Sequence, residues 1–134
     1  MKTVAIVTLV IAGYWILQRA NLMPGFLSNQ GGRKMINVQA LNDLLASKTP
    51  ITLIDVREPS ELKEDGKIAQ AQNFPLSQLP SSYTRLPKDK TLYVICRSGN
   101  RSGKAQAFLQ QHGYDAVNIG GGMSAWKSAG YLCQ

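Results

Sequence analysis

Cys96 heads a short polar segment, Cys96-Arg-Ser-Gly-Asn-Arg-Ser102, that follows an apolar stretch and precedes a helical pattern. Residues 91–96 suit a buried strand with Cys96 as its last residue, and residues 102–112 suit a helix closed by Gly113. A chain that runs from strand through tight loop to helix N-terminus aims several backbone N–H groups, and the positive end of the helix dipole, at the thiol. Gly99 allows the curl in which consecutive amides converge. Arg97 and Arg101 add full positive charge. Each effect favours thiolate over thiol, and the thiolate is the nucleophile. The competing reading is a structural cysteine at a strand end, which would have no use for two arginines and a glycine curl. Ser102 is expected to cap the helix as well.

The elements that must position this loop read as strands alternating with helices. Strand patterns fall at residues 35–38 (a short edge strand), 51–56, 73–76, 91–96 and 116–119. Helical patterns fall at 39–47, 59–65, 102–112 and 124–129, with a loop or helical turn around 79–86. This order implies an α/β domain, a mostly parallel sheet with helices on both faces. Sites in such sheets form beyond the C-terminal ends of strands, which singles out the chain after Val56 and after Cys96. Asp55 and Arg57 lie at the first of these and are read as chiefly structural. Asp55 would accept hydrogen bonds from active-loop amides, and Arg57 would pair with Glu58 or Glu61. Trp126 reads as a core plug, and residues 120–122 as a tight glycine turn forming one wall of the pocket. Cys133 reads as a tail thiol, with a relay role for sulfur as the alternative.

Two cysteines and one histidine in 134 residues leave no disulfide framework and no metal site. The net charge of +7 comes from scattered lysines and arginines, with no basic run interleaved with aromatics, so nucleic acid is not an expected partner. Anionic lipid headgroups and small anionic substrates suit the charge better. Residues 3–17 are almost wholly apolar, with Tyr14 and Trp15 near the far end and Arg19 after it. One apolar helix over residues 1–20 is therefore expected to anchor the chain in a membrane as a single pass, with a cleaved signal peptide as the alternative. Arg19, Arg33 and Lys34 follow the apolar run, so the positive-inside rule places the domain in the cytoplasm, against a periplasmic or secreted location. Residues 21–34 contain Pro24, Gly25, Ser28, Asn29, Gln30, Gly31 and Gly32 and read as a flexible tether to a domain over residues 35–134.

Four segments in order resemble the rhodanese sulfurtransferases. Cys96-Arg-Ser-Gly-Asn-Arg-Ser102 is similar to their active-site loop and Asp55-Val-Arg-Glu-Pro-Ser-Glu61 to their Asp-Val-Arg stretch. Asn73-Phe-Pro-Leu76 resembles the short segment that follows it, and Gly121-Gly122-Met-Ser-Ala-Trp126 the closing motif. Gly66-Lys67-Ile68 and Ala69-Gln70 depart from the Gly-His-Ile and Pro-Gly common in the family. The resemblance implies a rhodanese-like fold and a Cys96 persulfide. Sulfur would come from thiosulfate or a persulfide donor and pass to a thiol, a protein or cyanide. Residues Arg97, Ser98, Gly99, Asn100, Arg101 and Ser102 would stabilise the terminal sulfur with their amides, Arg101 holding donor charge and Arg97 steering the donor. No cofactor is implied. Cysteine phosphatases and arsenate reductases of related fold are the nearest alternative, and a non-catalytic binding module is a further one. The phosphatases use a Cys-x5-Arg loop, whereas Cys96 and Arg101 make Cys-x4-Arg, a narrower cradle with no general acid nearby after Arg101.

Overall fold

The computed structural model describes residues 28–30 and 33–134. Six strands form one sheet: β1 (Ser28–Gln30), β2 (Arg33–Ile36), β3 (Thr52–Asp55), β4 (Ala71–Asn73), β5 (Leu92–Ile95) and β6 (Ala116–Ile119). Their order across the sheet is β1-β2-β6-β5-β3-β4. The β1–β2 pair is antiparallel and every other pairing is parallel. Five α-helices connect them: α1 (Val38–Ala46), α2 (Pro59–Asp65), α3 (Leu79–Ser82), α4 (Asn100–Gln111) and α5 (Gly122–Ser128).

The expected edge strand at residues 35–38 needs correcting. It starts at Arg33, ends at Ile36 and is flanked by β1, which takes the edge. Residues 28–30 and 33–34, counted by composition in the tether, are therefore strand. Ser-Asn-Gln carries no apolar alternation, so backbone pairing alone places β1 in the sheet. The expected N-terminal apolar helix, its anchor and signal-peptide readings, and most of the tether lie outside the described residues. Among the described residues no helix is long and apolar enough to cross a membrane.

Period-2 alternation sorts the strand residues onto two cores. Ile54, Leu92, Val94 and Cys96 pack against Ala105 and Leu109 of α4 and Leu79 of α3. Leu53, Ile95, Val117 and Ile119 pack against Leu41 of α1 and Met123 and Trp126 of α5. The helices thus cover both faces, and the same alternation turns Cys96 toward α4. Trp126 fills the second core, its Nε1 donating to the Leu132 carbonyl at 3.1 Å.

Strand β3 lies beside β5, with Asp55 opposite Ile95. Asp55 and Arg57 are two residues apart, and their side chains meet in a buried ion pair. Arg57 is 1% exposed, its Nη2 donates to Asp55 Oδ2 at 2.8 Å, and its Nε donates to both carboxylate oxygens at 3.1 Å. The Arg57 backbone N–H donates to Asp55 Oδ1 at 3.0 Å, and Nη2 reaches the Gly66 carbonyl at 2.9 Å. Both partners expected from the sequence are thereby corrected. The Asp55 carboxylate serves Arg57 and not the active-loop amides; Arg57 pairs with Asp55 and not with Glu58 or Glu61. Asn73 Nδ2 donates to the Asp55 and Arg57 carbonyls, both at 2.9 Å, which pins the chain as it leaves β3 for α2. Removing one member strands the other as a buried charge. Asp55→Ala is expected to lower stability to urea by about 3–5 kcal/mol. A loss below about 1 kcal/mol, the scale of a solvated pair, would mean that the pair is not desolvated in solution.

Candidate active site

Strand β5 ends at Ile95, so Cys96 is the first residue beyond it, and the chain then turns at Gly99 with φ 98°. This left-handed turn, favoured by glycine, leads directly into α4 at Asn100, two residues earlier than the sequence pattern places the helix. Gly99 is the N-cap residue, and Ser102 lies inside the first turn. The expected capping role of Ser102 is therefore corrected. Its hydroxyl faces inward, 3.2 Å from Cys96 Sγ and 2.6 Å from Asn118 Oδ1, to which it donates.

Cys96 has no exposed surface. Burial pushes its thiol up, but hydrogen bonding with the Ser102 hydroxyl and with the backbone N–H groups of Ser102, Gly99 and Ser98 outweighs it. The net result holds the thiol below its ordinary value. The Gly99 N–H is 3.1 Å from Sγ. Among the amides expected around the sulfur, those of Ser98, Gly99 and Ser102 serve it. Arg97 and Asn100 are exposed in the loop and at the helix start.

The turn is held from behind by α5. The Met123 N–H donates to the Cys96 carbonyl at 2.8 Å and the Ser124 N–H to the Arg97 carbonyl at 2.9 Å. Gly122 makes this approach possible: at φ 55°, a Cβ there would sit 2.4 Å from the Cys96 carbonyl oxygen and 2.6 Å from that of Arg97. The glycine turn read as a pocket wall thus backs the loop itself.

Arg101 is bound by an acid that the sequence pattern had offered to Arg57. Its Nη1 and Nη2 donate to Glu61 Oε2 and Oε1, both at 2.7 Å, and its side chain is 33% exposed. Glu61 Oε2 also accepts the Glu58 N–H at 2.8 Å. The Arg101 guanidinium, against a smaller opposing effect of burial, holds the Glu61 carboxyl down at about 2. Arg101 is raised in turn by Glu61, with the Cys96 and Asp55 charges adding less. In this geometry Arg101 is engaged by Glu61. One residue of the site escapes the motif reading, Asn118, and Glu61 enters it only as a partner for Arg57. The signal for Asn118 is a lone polar residue in the strand Ala116-Val-Asn-Ile119; for Glu61 it is only its place in the first turn of α2.

Cys133 packs against the core of the opposite sheet face from Cys96. The sheet separates the two thiols, which disfavours the relay alternative. Among the described residues no three His, Cys, Asp or Glu side chains are grouped to hold a metal ion.

The fold and this loop define a family, and comparison with known proteins agrees. The chain belongs to the rhodanese-like domain family, whose model matches residues 37–129. It is 38% identical over 96 residues to a protein of Allochromatium vinosum named sulfurtransferase, covering 71% of this chain and 89% of that one. Among solved structures it is similar to a rhodanese-related protein from Thermoplasma volcanium, with a TM-score of 0.68 and 39% identity over 75% of this chain and 96% of that one. A rhodanese-like domain protein from Staphylococcus aureus also superposes with a TM-score of 0.68, at 32% identity over 75% of this chain and 97% of that one.

The Glu61–Arg101 pair makes a pH prediction. Because the folded carboxyl is depressed, the pair stabilises the fold above the unfolded value of 4.5 and is lost as pH falls toward about 2. Urea midpoints measured across that window are expected to fall less steeply for Glu61→Gln than for the unaltered chain. Parallel curves would show that the pair does not persist in solution.

Proposed function

We propose that this protein is a rhodanese-type sulfurtransferase that carries sulfane sulfur on Cys96. The observation that carries this reading is the buried Cys96 sulfur, met by the Gly99 N–H and the Ser102 hydroxyl and held below its ordinary pKa. The sulfurtransferase name of the Allochromatium relative supports it. The Cys96 thiolate attacks the outer sulfur of thiosulfate or a persulfide. A new S–S bond forms, the donor's S–S bond breaks, and sulfite or a thiolate leaves with the electron pair. A thiol, a protein acceptor or cyanide then takes the outer sulfur and returns Cys96 as thiolate. The amides along the Cys96–Ser102 turn stabilise the terminal sulfide anion in place, and exposed Arg97 steers an anionic donor. Since Cys96 has no exposed surface, donor entry displaces part of the loop. The chemistry lies between thiolate and sulfane sulfur and calls for no metal or organic cofactor.

Glu61 takes two of the five N–H donors of Arg101 and offsets its charge, which weighs against the phosphatase reading. The short Cys-x4-Arg loop weighs the same way. A purely binding role leaves the lowered thiol without a use.

Residues 1–20 are proposed as a membrane anchor with the domain on the cytoplasmic side. Ser28 begins β1 opposite Met35, which in turn pairs with Asn118 beside the active-site turn. A chain arriving from an anchor would join the sheet at the Cys96 end.

Cys96→Ser is expected to abolish sulfur transfer from thiosulfate to cyanide without unfolding the domain, while Cys133→Ser retains most of it. Hydrolysis of an aryl phosphate should be negligible beside sulfur transfer at matched concentrations; the reverse ranking would replace this reading with the phosphatase one. For the anchor, the full-length chain is expected to stay with membranes through a high-salt wash, its domain protected when protease is added to intact spheroplasts. Digestion there would place the domain outside the cytoplasm.

A further inference from the structure

Ser102 Oγ lies between two acceptors, Cys96 Sγ at 3.2 Å and Asn118 Oδ1 at 2.6 Å. A hydroxyl has one proton to give. The orientation of the Asn118 amide is set independently: its Nδ2 donates to the Gly99 carbonyl at 3.1 Å, and a carbonyl only accepts. Oδ1 must then face Ser102, and it also only accepts. All three side chains are buried, Cys96 and Ser102 completely and Asn118 at 5% exposure.

We propose that Asn118 is a positioning residue that acts on Cys96 through Ser102, its side-chain oxygen competing with the sulfur for the single Ser102 proton. In the thiol form the S–H donates to Ser102 Oγ, and Ser102 donates onward to Asn118 Oδ1. On ionisation the S–H bond breaks, its proton passes to solvent, and the Ser102 O–H turns from Asn118 to the sulfur anion. Asn118 Oδ1 is then left buried without its donor, a cost that opposes thiolate formation. The amides and Asn118 therefore pull in opposite directions. Such a balance suits a sulfur nucleophile, because lowering a thiol's pKa raises its ionised fraction while reducing its intrinsic reactivity.

Charged groups around the thiol do not enter this relay. Arg101 of α4 senses the Cys96 charge but is paired with Glu61 of α2. Asp55 and Arg57 pair with each other at the end of β3, Arg97 and Lys104 are exposed, and Arg33 and Lys104 line a cleft of about 400 Å³ bordering Asn118. The described hydrogen bonds of Ser102 and Asn118 involve none of them.

The inference rests on Cys96 being the nucleophile, but its test does not require sulfur transfer. The rate of Cys96 alkylation by iodoacetamide is followed against pH in the full-length chain carrying Cys133→Ser, with the Cys96 peptide quantified by mass spectrometry. Ser102→Ala is expected to raise the midpoint. Asn118→Leu, which removes the competing acceptor, is expected to lower it by about half to one pH unit, the scale of one hydrogen bond. In the Ser102→Ala background Asn118→Leu should have no further effect, as required if the asparagine acts only through the serine. Asn118→Asp keeps the size and strengthens the acceptor, but its charge alone also raises the midpoint; if the leucine variant does not fold, the aspartate is therefore compared with and without Ser102, and its rise should be larger when Ser102 is present. An unchanged or raised midpoint in folded Asn118→Leu, an equal shift with and without Ser102, or an unchanged or lowered midpoint in Asn118→Asp overturns the proposal. The expected shifts in a protein that moves no sulfur would leave Asn118's role standing and sink the sulfurtransferase reading alone.

Discussion

A sulfur anion with no exposed surface must be solvated by the protein around it. Cys96, with no exposed surface, makes that demand whenever its thiol ionises, and most of the site's local structure can be derived from it. Burial alone would keep the proton on the sulfur. The groups that overcome it are dipoles, three backbone N–H groups and a hydroxyl, and the amides help because they are already aimed. The left-handed turn at Gly99 aims them: it brings the Gly99 N–H within 3.1 Å of the sulfur and starts α4 early enough for Ser102 to reach inward.

The full charges near the site are arranged differently from these dipoles. Arg57 and Asp55 neutralise each other in the core, and Arg101 is closed onto Glu61. Two unpaired guanidinium groups beside the thiol would hold the anion very strongly and weaken it as a nucleophile. Paired, they serve as struts. Asp55–Arg57 and Asn73 fix the chain leaving β3, which places α2, and Glu61 on α2 then grips the first turn of α4. The ion pairs thus join the ends of two neighbouring strands, the positions at which parallel sheets carry their sites.

Much of this was legible in the residues. Periodicity located β6 and α2 to the residue and placed the remaining described helices and central strands within a few residues, because their apolar patterns have one interpretation. Strand β1 was not legible, since Ser-Asn-Gln is held by backbone pairing without an apolar face. The start of α4 was misplaced because serine is a better N-cap than glycine on local grounds, while the left-handed backbone at Gly99 settles the boundary. Partner choice was the least legible level. Asp55 and Arg57 pair across one intervening residue, Glu61 and Arg101 across 40 positions, and nothing local distinguishes the right acid for each arginine. Asn118 left a visible trace, a polar side chain in a buried strand, whose purpose appears only when Ser102 and Gly99 are brought against it.

The closing glycine motif follows from the same demand on the peptide groups. A peptide that turns its N–H toward the sulfur turns its carbonyl away from it, and buried carbonyls need donors of their own. Helix α5 supplies them: its first amides take the carbonyls of Cys96 and Arg97. Those are the carbonyls of the peptides that precede Arg97 and Ser98, so holding them fixes the orientation of the Ser98 amide that contributes to the sulfur. The approach is too close for a Cβ at Gly122. Two helix N-termini therefore converge on one turn with different tasks. That of α4 faces the sulfur, while that of α5 faces the backbone carrying it and has its leading amides occupied by carbonyls. This explains why a glycine run beside a helix start in this fold need not mark an anion site, and why the closing motif belongs with the cysteine loop although helix α4 and strand β6 lie between them in the chain.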